Sequence, residues 1–267
     1  MRLIRLLLIF NILFAVSTGI LADSITDAKF KTDNFLLAQI FQQPAAPPNT
    51  PSPLWHHSKE KQKTNKISDA NNLLKLVKKV LHHISSNHYQ LGGNIFDLNR
   101  GIYHLDCSEY VDNLVKRIDP TAYQTISKNG SIKPTSLDYF AFLSAIHSGQ
   151  TRYHWYRVPN LSAVKAGDIL VFRYKDLANK KSGGHMMVIL APPKKFIWSH
   201  DAYSLRISDS APAGHTTDTR QAHTSGIGVG SLLLKIDPKS DLPIAYAWKW
   251  FAPWHTDMYY IIARLQN

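Results

Sequence analysis

The chain has 267 residues, 44% of them hydrophobic, with 31 lysines and arginines against 19 carboxylates and a single cysteine. That length and apolar content suffice for a full hydrophobic core in one or two domains, and a lone cysteine excludes an internal disulfide. The formal net charge of +12 is spread along the chain without a nucleic-acid-binding motif. Nucleic acid is therefore not an expected partner, whereas envelope polymers and acidic lipid headgroups suit a basic surface.

The first segment, "MRLIRLLLIFNILFAVSTGILA", places Arg2 and Arg5 before an apolar stretch from Leu6 to Val16, with small residues near Ser17, Gly19 and Ala22. This layout predicts a secretory signal peptide over residues 1–22, cleaved after Gly19 or Ala22, and an exported chain in the periplasm or outside the cell, free or associated with the envelope. No later segment approaches the ~20 apolar residues of a membrane-spanning helix, so none is expected in the mature chain. Residues 23–66 read as a flexible linker: "QQPAAPPNTPSP" is too rich in proline for a helix or central strand, and a polar, charged stretch follows it.

A folded domain is expected over residues 67–267. Leu73, Leu76, Val77, Val80, Leu81 and Ile84 mark one face of a helix that Ser68 or Asp69 would cap. "YQLGGN", from Tyr89, breaks that pattern. A second helix begins at Cys107, with Val111, Leu114, Val115 and Ile118 on one face and a stop at Asp119. Asp106 is its natural N-cap, and Glu109 is placed to complete a capping box. A third helix is predicted from Ser136 to His147. Five β-rich runs then follow, opening at Asp168, His185, Tyr203, Gly230 and Met258. The order predicts an α+β domain, with N-terminal helices packed on one side of an antiparallel sheet of about five to six strands.

The cysteine carries the chemistry. With Asp106 as cap, Cys107 lies in the first turn of a helix, where unsatisfied N–H groups and partial positive charge favour a thiolate and can hold an oxyanion. A nucleophile also needs a base, and His185, after "SGG" and at the head of an apolar strand, is the leading candidate. Asp168 in "GDILVF" reads as a turn residue rather than a catalyst. His215, Asp218 and His223 have no recognised metal-ligand spacing, so no metal is expected. "YAWKWFAPWH", from Tyr246, reads as core and edge packing.

Five stretches occur in the order Tyr89 "YQLGG", Asp106 "DCS", Ala166 "AGDILVF", Gly183 "GGHMMVIL" and Arg206 "RISDSA". This pattern resembles the NlpC-type cysteine peptidases of bacterial cell-wall turnover, over most of the span from Ile67 to about Ser210. The resemblance implies a papain-like fold, Cys107 as nucleophile, His185 as general base, Tyr89 and Ser108 at the oxyanion or substrate position, and no cofactor. A polar residue on the strand after the base would be the third member: Asp209, or His200 if the hairpin turns tightly at "APPKK". The implied reaction is cleavage of an amide in peptidoglycan stem peptides through a thioester. The alternatives are an acyltransferase or amidase acting on lipid or protein, and a non-catalytic envelope-binding module. Glu109 and Tyr110 stand where the family usually has glycine and an aromatic or aliphatic residue, and residues 211–267 exceed its usual core.

Overall fold

The computed structural model describes residues 69–127, 133–178 and 180–266. The expected signal peptide and linker, and Ser68, lie outside the described residues. Helix α1 (Asp69–His82) buries Leu73, Val77 and Val80 and turns Lys75, Lys78 and Lys79 to solvent. Three short strands follow: β1 (Ser86–Tyr89), β2 (Asn94–Asp97) and β3 (Ile102–Leu105). They form a small sheet in the order β1-β3-β2, with β1 parallel to β3. Next come α2 (Cys107–Ile118), α3 (Pro120–Ser127) and α4 (Ser136–Ser144). Asp119 both ends α2 and starts α3, its Oδ1 accepting from the Ala122 N–H at 2.9 Å.

The remaining strands are β4 (Thr151–Arg152), β5 (Trp155–Arg157), β6 (Ile169–Tyr174), β7 (Gly184–Ile189), β8 (Lys194–Lys195), β9 (Ala202–Ala211), β10 (Gly226–Asp237), β11 (Leu242–Ala247) and β12 (Met258–Leu265). They build one nine-stranded sheet in the order β11-β10-β9-β7-β6-β12-β5-β4, with β8 paired to β9. All of its pairings are antiparallel.

This architecture corrects the expected papain-like arrangement of helices on five to six strands. The protein is mostly β, with a nine-stranded and a three-stranded sheet and four α-helices among the described residues. Two causes account for the difference. Strands of two to four residues, such as "SNHY" and "NIFD", are too short and too polar to show a period of two. The C-terminal stretch is not an appendage either: β12 lies between β6 and β5 in the middle of the sheet. The third helix also stops at Ser144, three residues before the expected end.

Both faces of the sheet are buried. Along β6, Ile169 and Val171 pack under Leu73, Val77, Val111, Leu114 and Tyr139 from the helices. Leu170 and Phe172 point the other way, into a second core with Met187, Leu205, Leu232 and Tyr246. The Phe172 ring lies 5.0 Å from that of Tyr246, although three strands separate β6 from β11 in the sheet order. The sheet therefore rolls over on itself and encloses its second face. Enclosure on both sides explains why every residue of β7 is buried. Among the described residues, no helix is long and apolar enough to cross a membrane.

Candidate active site

Cys107 opens α2 and is buried. Its position is set by Asp106, whose Oδ1 accepts from the Glu109 N–H at 3.0 Å and from the Ser108 hydroxyl at 2.8 Å. The other oxygen of Asp106 accepts from the Gly92 N–H at 2.8 Å. One carboxylate thus ties the "YQLGG" turn to the helix end and brings Tyr89 beside the cysteine. The N–H groups of Cys107 and Ser108 belong to the first turn and have no carbonyl four residues back to receive them. The expected capping box forms only in half: the Glu109 carboxylate turns to Lys133, 3.3 Å away, instead of reaching back over the cap.

His185 stands on β7, directly after Gly183 and Gly184. A side chain on Gly184 would collide with the Phe172 carbonyl on the neighbouring strand, so glycine lets the strand begin there. The His185 imidazole donates from Nε2 to Asp209 Oδ2 at 2.7 Å. This leaves Nδ1 for Cys107, whose side chain is a hydrogen-bond partner of the ring. Burial opposes the imidazolium. The charge of Cys107 and the hydrogen bonds to Asp209 and Cys107 outweigh it, raising the His185 pKa to about 10.

Asp209 on β9 is fully buried. The paired ladder between β7 and β9 covers only Val188–Ser208 and Ile189–Ile207, and Asp209 lies just past its end, on the same face as His185. Three groups converge on its carboxylate. His185 and His215 share Oδ2, at 2.7 and 2.8 Å, and Arg220 donates to Oδ1 at 2.9 Å. Burial alone would raise the Asp209 pKa. The charge of His215 and the hydrogen bonds from His185 and His215 reverse that and hold it well below the usual carboxylate range. Asp218 secures the two supporting groups, accepting from the His215 N–H at 2.7 Å and from Arg220 Nε and Nη2 at 2.8 Å.

The loop that delivers His215, Asp218 and Arg220 lies over a strand with room for it. Gly228 pairs with Asp209, and Gly230 follows on the same face. A Cβ on Gly228 would stand 2.6 Å from Arg220 Nε, and one on Gly230 would stand 2.6 Å from Asp218 Oδ2. Trp248 closes the cluster from the other side, its ring 5.3 Å from that of His185 and 5.4 Å from that of His215.

Tyr89 lies on β1 next to Cys107. Its partial burial, and then the negative charge of Cys107 and Asp106, hold its hydroxyl above the usual phenol range, so it remains an O–H donor. Ser108 spends its hydroxyl on the Asp106 cap and contributes a backbone N–H to the helix end. His200 sits on the exposed turn between β8 and β9, and it is Asp209 that contacts His185. Asp168 is clamped by Arg264, with Nε to Oδ1 at 2.6 Å and Nη2 to Oδ2 at 2.9 Å, and serves the sheet rather than the cluster. Tyr110 points into the core, where its hydroxyl meets Ser208 at 2.9 Å, directly before Asp209 in the chain.

From the sequence, His215 and Asp218 read as loop hydrogen-bonding or groove-lining residues and Trp248 as packing, and Arg220 has no reading; their convergence on Asp209 and His185 is not expected. The alternating glycines of "GIGVG" were the available signal, because glycines every second residue clear one face of a strand. The arrangement places a thiol, an imidazole and a carboxylate in line at a helix N-terminus, the set required for thiol nucleophilic attack. No family model, curated protein or solved structure matches the chain.

Proposed function

We propose that the chain is a cysteine hydrolase of the NlpC type that cleaves an amide bond in peptidoglycan stem peptides. The observation that carries the reading is the line from Cys107, at the first turn of α2, through His185 to the buried carboxylate of Asp209. The Cys107 sulfur attacks the amide carbonyl, and the N–H groups of the helix end, with the Tyr89 hydroxyl, receive the developing oxyanion. His185, protonated at neutral pH by virtue of its raised pKa, delivers a proton to the leaving amine. Asp209 holds the imidazole through Nε2, so Nδ1 faces the sulfur. Water then attacks the thioester, with His185 taking its proton, and restores the thiol.

The choice of stem peptide as substrate rests on the ordered motifs and on the secretory character of residues 1–22. Purified protein incubated with labelled peptidoglycan is expected to release muropeptide fragments, while a Cys107→Ala variant releases none. Identical fragment profiles from the two proteins would overturn the hydrolase reading.

A further inference from the structure

A second surface lies on the outer face of the rolled sheet, joined to the loop that carries His215 by the Trp250 N–H, which donates to the Thr216 hydroxyl at 2.7 Å. There a small core of Ala202, Leu233 and Ala247 is covered by Phe196 from the β8–β9 turn and by Trp250 from the β11–β12 loop. The Phe196 ring lies 5.7 Å from that of Trp250 and 6.1 Å from that of Phe251, so the two loops are packed together. Having anchored themselves, both loops present large apolar side chains to solvent. Ile197 is 75% exposed, Trp198 68% and Phe251 77%. Phe251 also takes a φ of 64°, a conformation that is uncommon for a bulky residue and costs free energy. Folding gains little from an aromatic ring held out in water in a strained conformation.

Charge identifies the occupant. Lys194, Lys195 and Lys249 flank the protruding side chains and are all exposed. The neighbouring carboxylate, Asp201, is engaged by Lys235 at 3.2 Å, so the patch presents a positive rim. Apolar and aromatic side chains projecting between exposed lysines are the pattern of a protein that rests on an anionic bilayer. The rings enter the headgroup boundary and the ammonium groups meet the phosphates. A glycan platform would instead offer flat ring faces accompanied by hydrogen-bonding side chains; Ile197 and Phe251 provide neither polar handle.

We infer that the loops 194–198 and 249–254 form a docking surface for an anionic phospholipid membrane, which would hold the proposed hydrolase at the envelope. The test uses the full chain and cosedimentation with vesicles, either of phosphatidylcholine alone or of equal parts phosphatidylcholine and phosphatidylglycerol. The wild-type chain is expected to partition preferentially onto the phosphatidylglycerol vesicles, with a blue shift of tryptophan emission. The combined Ile197→Ser, Trp198→Ser and Phe251→Ser variant is expected to bind at least about tenfold more weakly, from the loss of buried apolar area. The Lys194→Gln, Lys195→Gln and Lys249→Gln variant is expected to lose about tenfold of its preference for phosphatidylglycerol.

Every chain carries the same N-terminal segment, so the difference between variants reads the patch. Unchanged urea midpoints and unchanged Cys107 alkylation establish that the fold and the thiol site are intact. Because neither readout uses peptidoglycan cleavage, failure of this inference is distinct from failure of the hydrolase reading. Equal vesicle binding by wild type and the apolar variant would overturn it. So would a loss of binding to purified peptidoglycan sacculi without any change on vesicles, which would make the patch a glycan platform.

Discussion

Among the buried aspartates of the described residues, Asp209 and Asp112 are held in opposite states. Asp209 faces two histidines and an arginine, and its carboxyl is kept well below the usual range. Asp112, on the buried side of the cysteine helix, accepts one hydrogen bond from the Tyr139 hydroxyl at 2.8 Å. Its other oxygen has no partner among the described residues. Burial dominates there, and the negative charges of Glu109, Asp106 and Asp138 add to it, pushing the Asp112 pKa up to about 8. The degree of burial is nearly the same, so burial cannot decide the charge. The partners do: cationic groups converge on Asp209, which orients the imidazole of His185, whereas the charges acting on Asp112 are those of other carboxylates.

Breaking the Asp209 end of that comparison should have the largest effect. Asp209→Ala leaves Arg220 and His215 buried beside an empty position, and removing one partner of a buried ionic cluster costs roughly 3–5 kcal/mol. Urea denaturation of the variant should show a loss of that size, and Cys107 alkylation near neutral pH should slow as His185 loses its orientation. Asp209 has a folded pKa below its unfolded value of 3.8. Its contribution to stability is therefore present above pH 3.8 and is lost as the pH falls through the lower folded value. Wild-type stability should fall steeply in that acidic window, and the variant's should fall less. A stability loss under about 1 kcal/mol would show that the carboxylate is not the anchor of the cluster.

Asp112→Asn tests the opposite end, with the opposite sign. The folded pKa of Asp112 lies above its unfolded value of 3.8, at about 8. The protonated carboxyl contributes fully below 3.8, and that contribution declines as the pH rises to about 8. The amide keeps an acceptor for the Tyr139 hydroxyl and has no proton to lose. At pH 8 the variant should be more stable than wild type, by roughly 5 kcal/mol for a pKa raised from 3.8 to about 8, and the gap should close toward pH 4. Thermal melts across that range measure it directly. A gap that does not depend on pH would show that Asp112 is not protonated in the fold.

The contrast between these aspartates also marks what could be read from the residues alone. Asp209 is legible only through the order of the family's motifs; the cap at Asp106, the helix from Cys107 and the strand carrying His185 follow from local rules of capping and alternation, which act over a few residues. The roll of the sheet does not, because it depends on Phe172 meeting Tyr246 across three intervening strands. The same holds for Arg220, which reaches Asp209 only after its loop has folded back over β10. Trp248 lies in a stretch read as core and edge packing, and nothing local distinguishes it from its neighbours. Its contact with both histidines appears only when β11 closes on β7.

Gly228→Ala is the mildest way to disturb this support, because it removes no charged group. Gly228 does not adopt a positive φ, so alanine is tolerated by the backbone, and the effect comes from contact alone. The added methyl would stand 2.6 Å from Arg220 Nε and 2.7 Å from its Cγ, so the guanidinium must shift away from Asp209 Oδ1. Overpacking of this kind costs about 1–3 kcal/mol, and the low end applies because the side chain that must yield is flexible. Arg220 would keep its two contacts to Asp218 more readily than its single contact to Asp209. The loss should therefore be small in urea denaturation and clearer in the Cys107 alkylation rate, which reads the orientation of His185. Asp209→Ala and Gly228→Ala combined should then be no slower than Asp209→Ala alone, since both act through the same carboxylate. Additive slowing would place the influence of Arg220 on the thiol outside the path through Asp209.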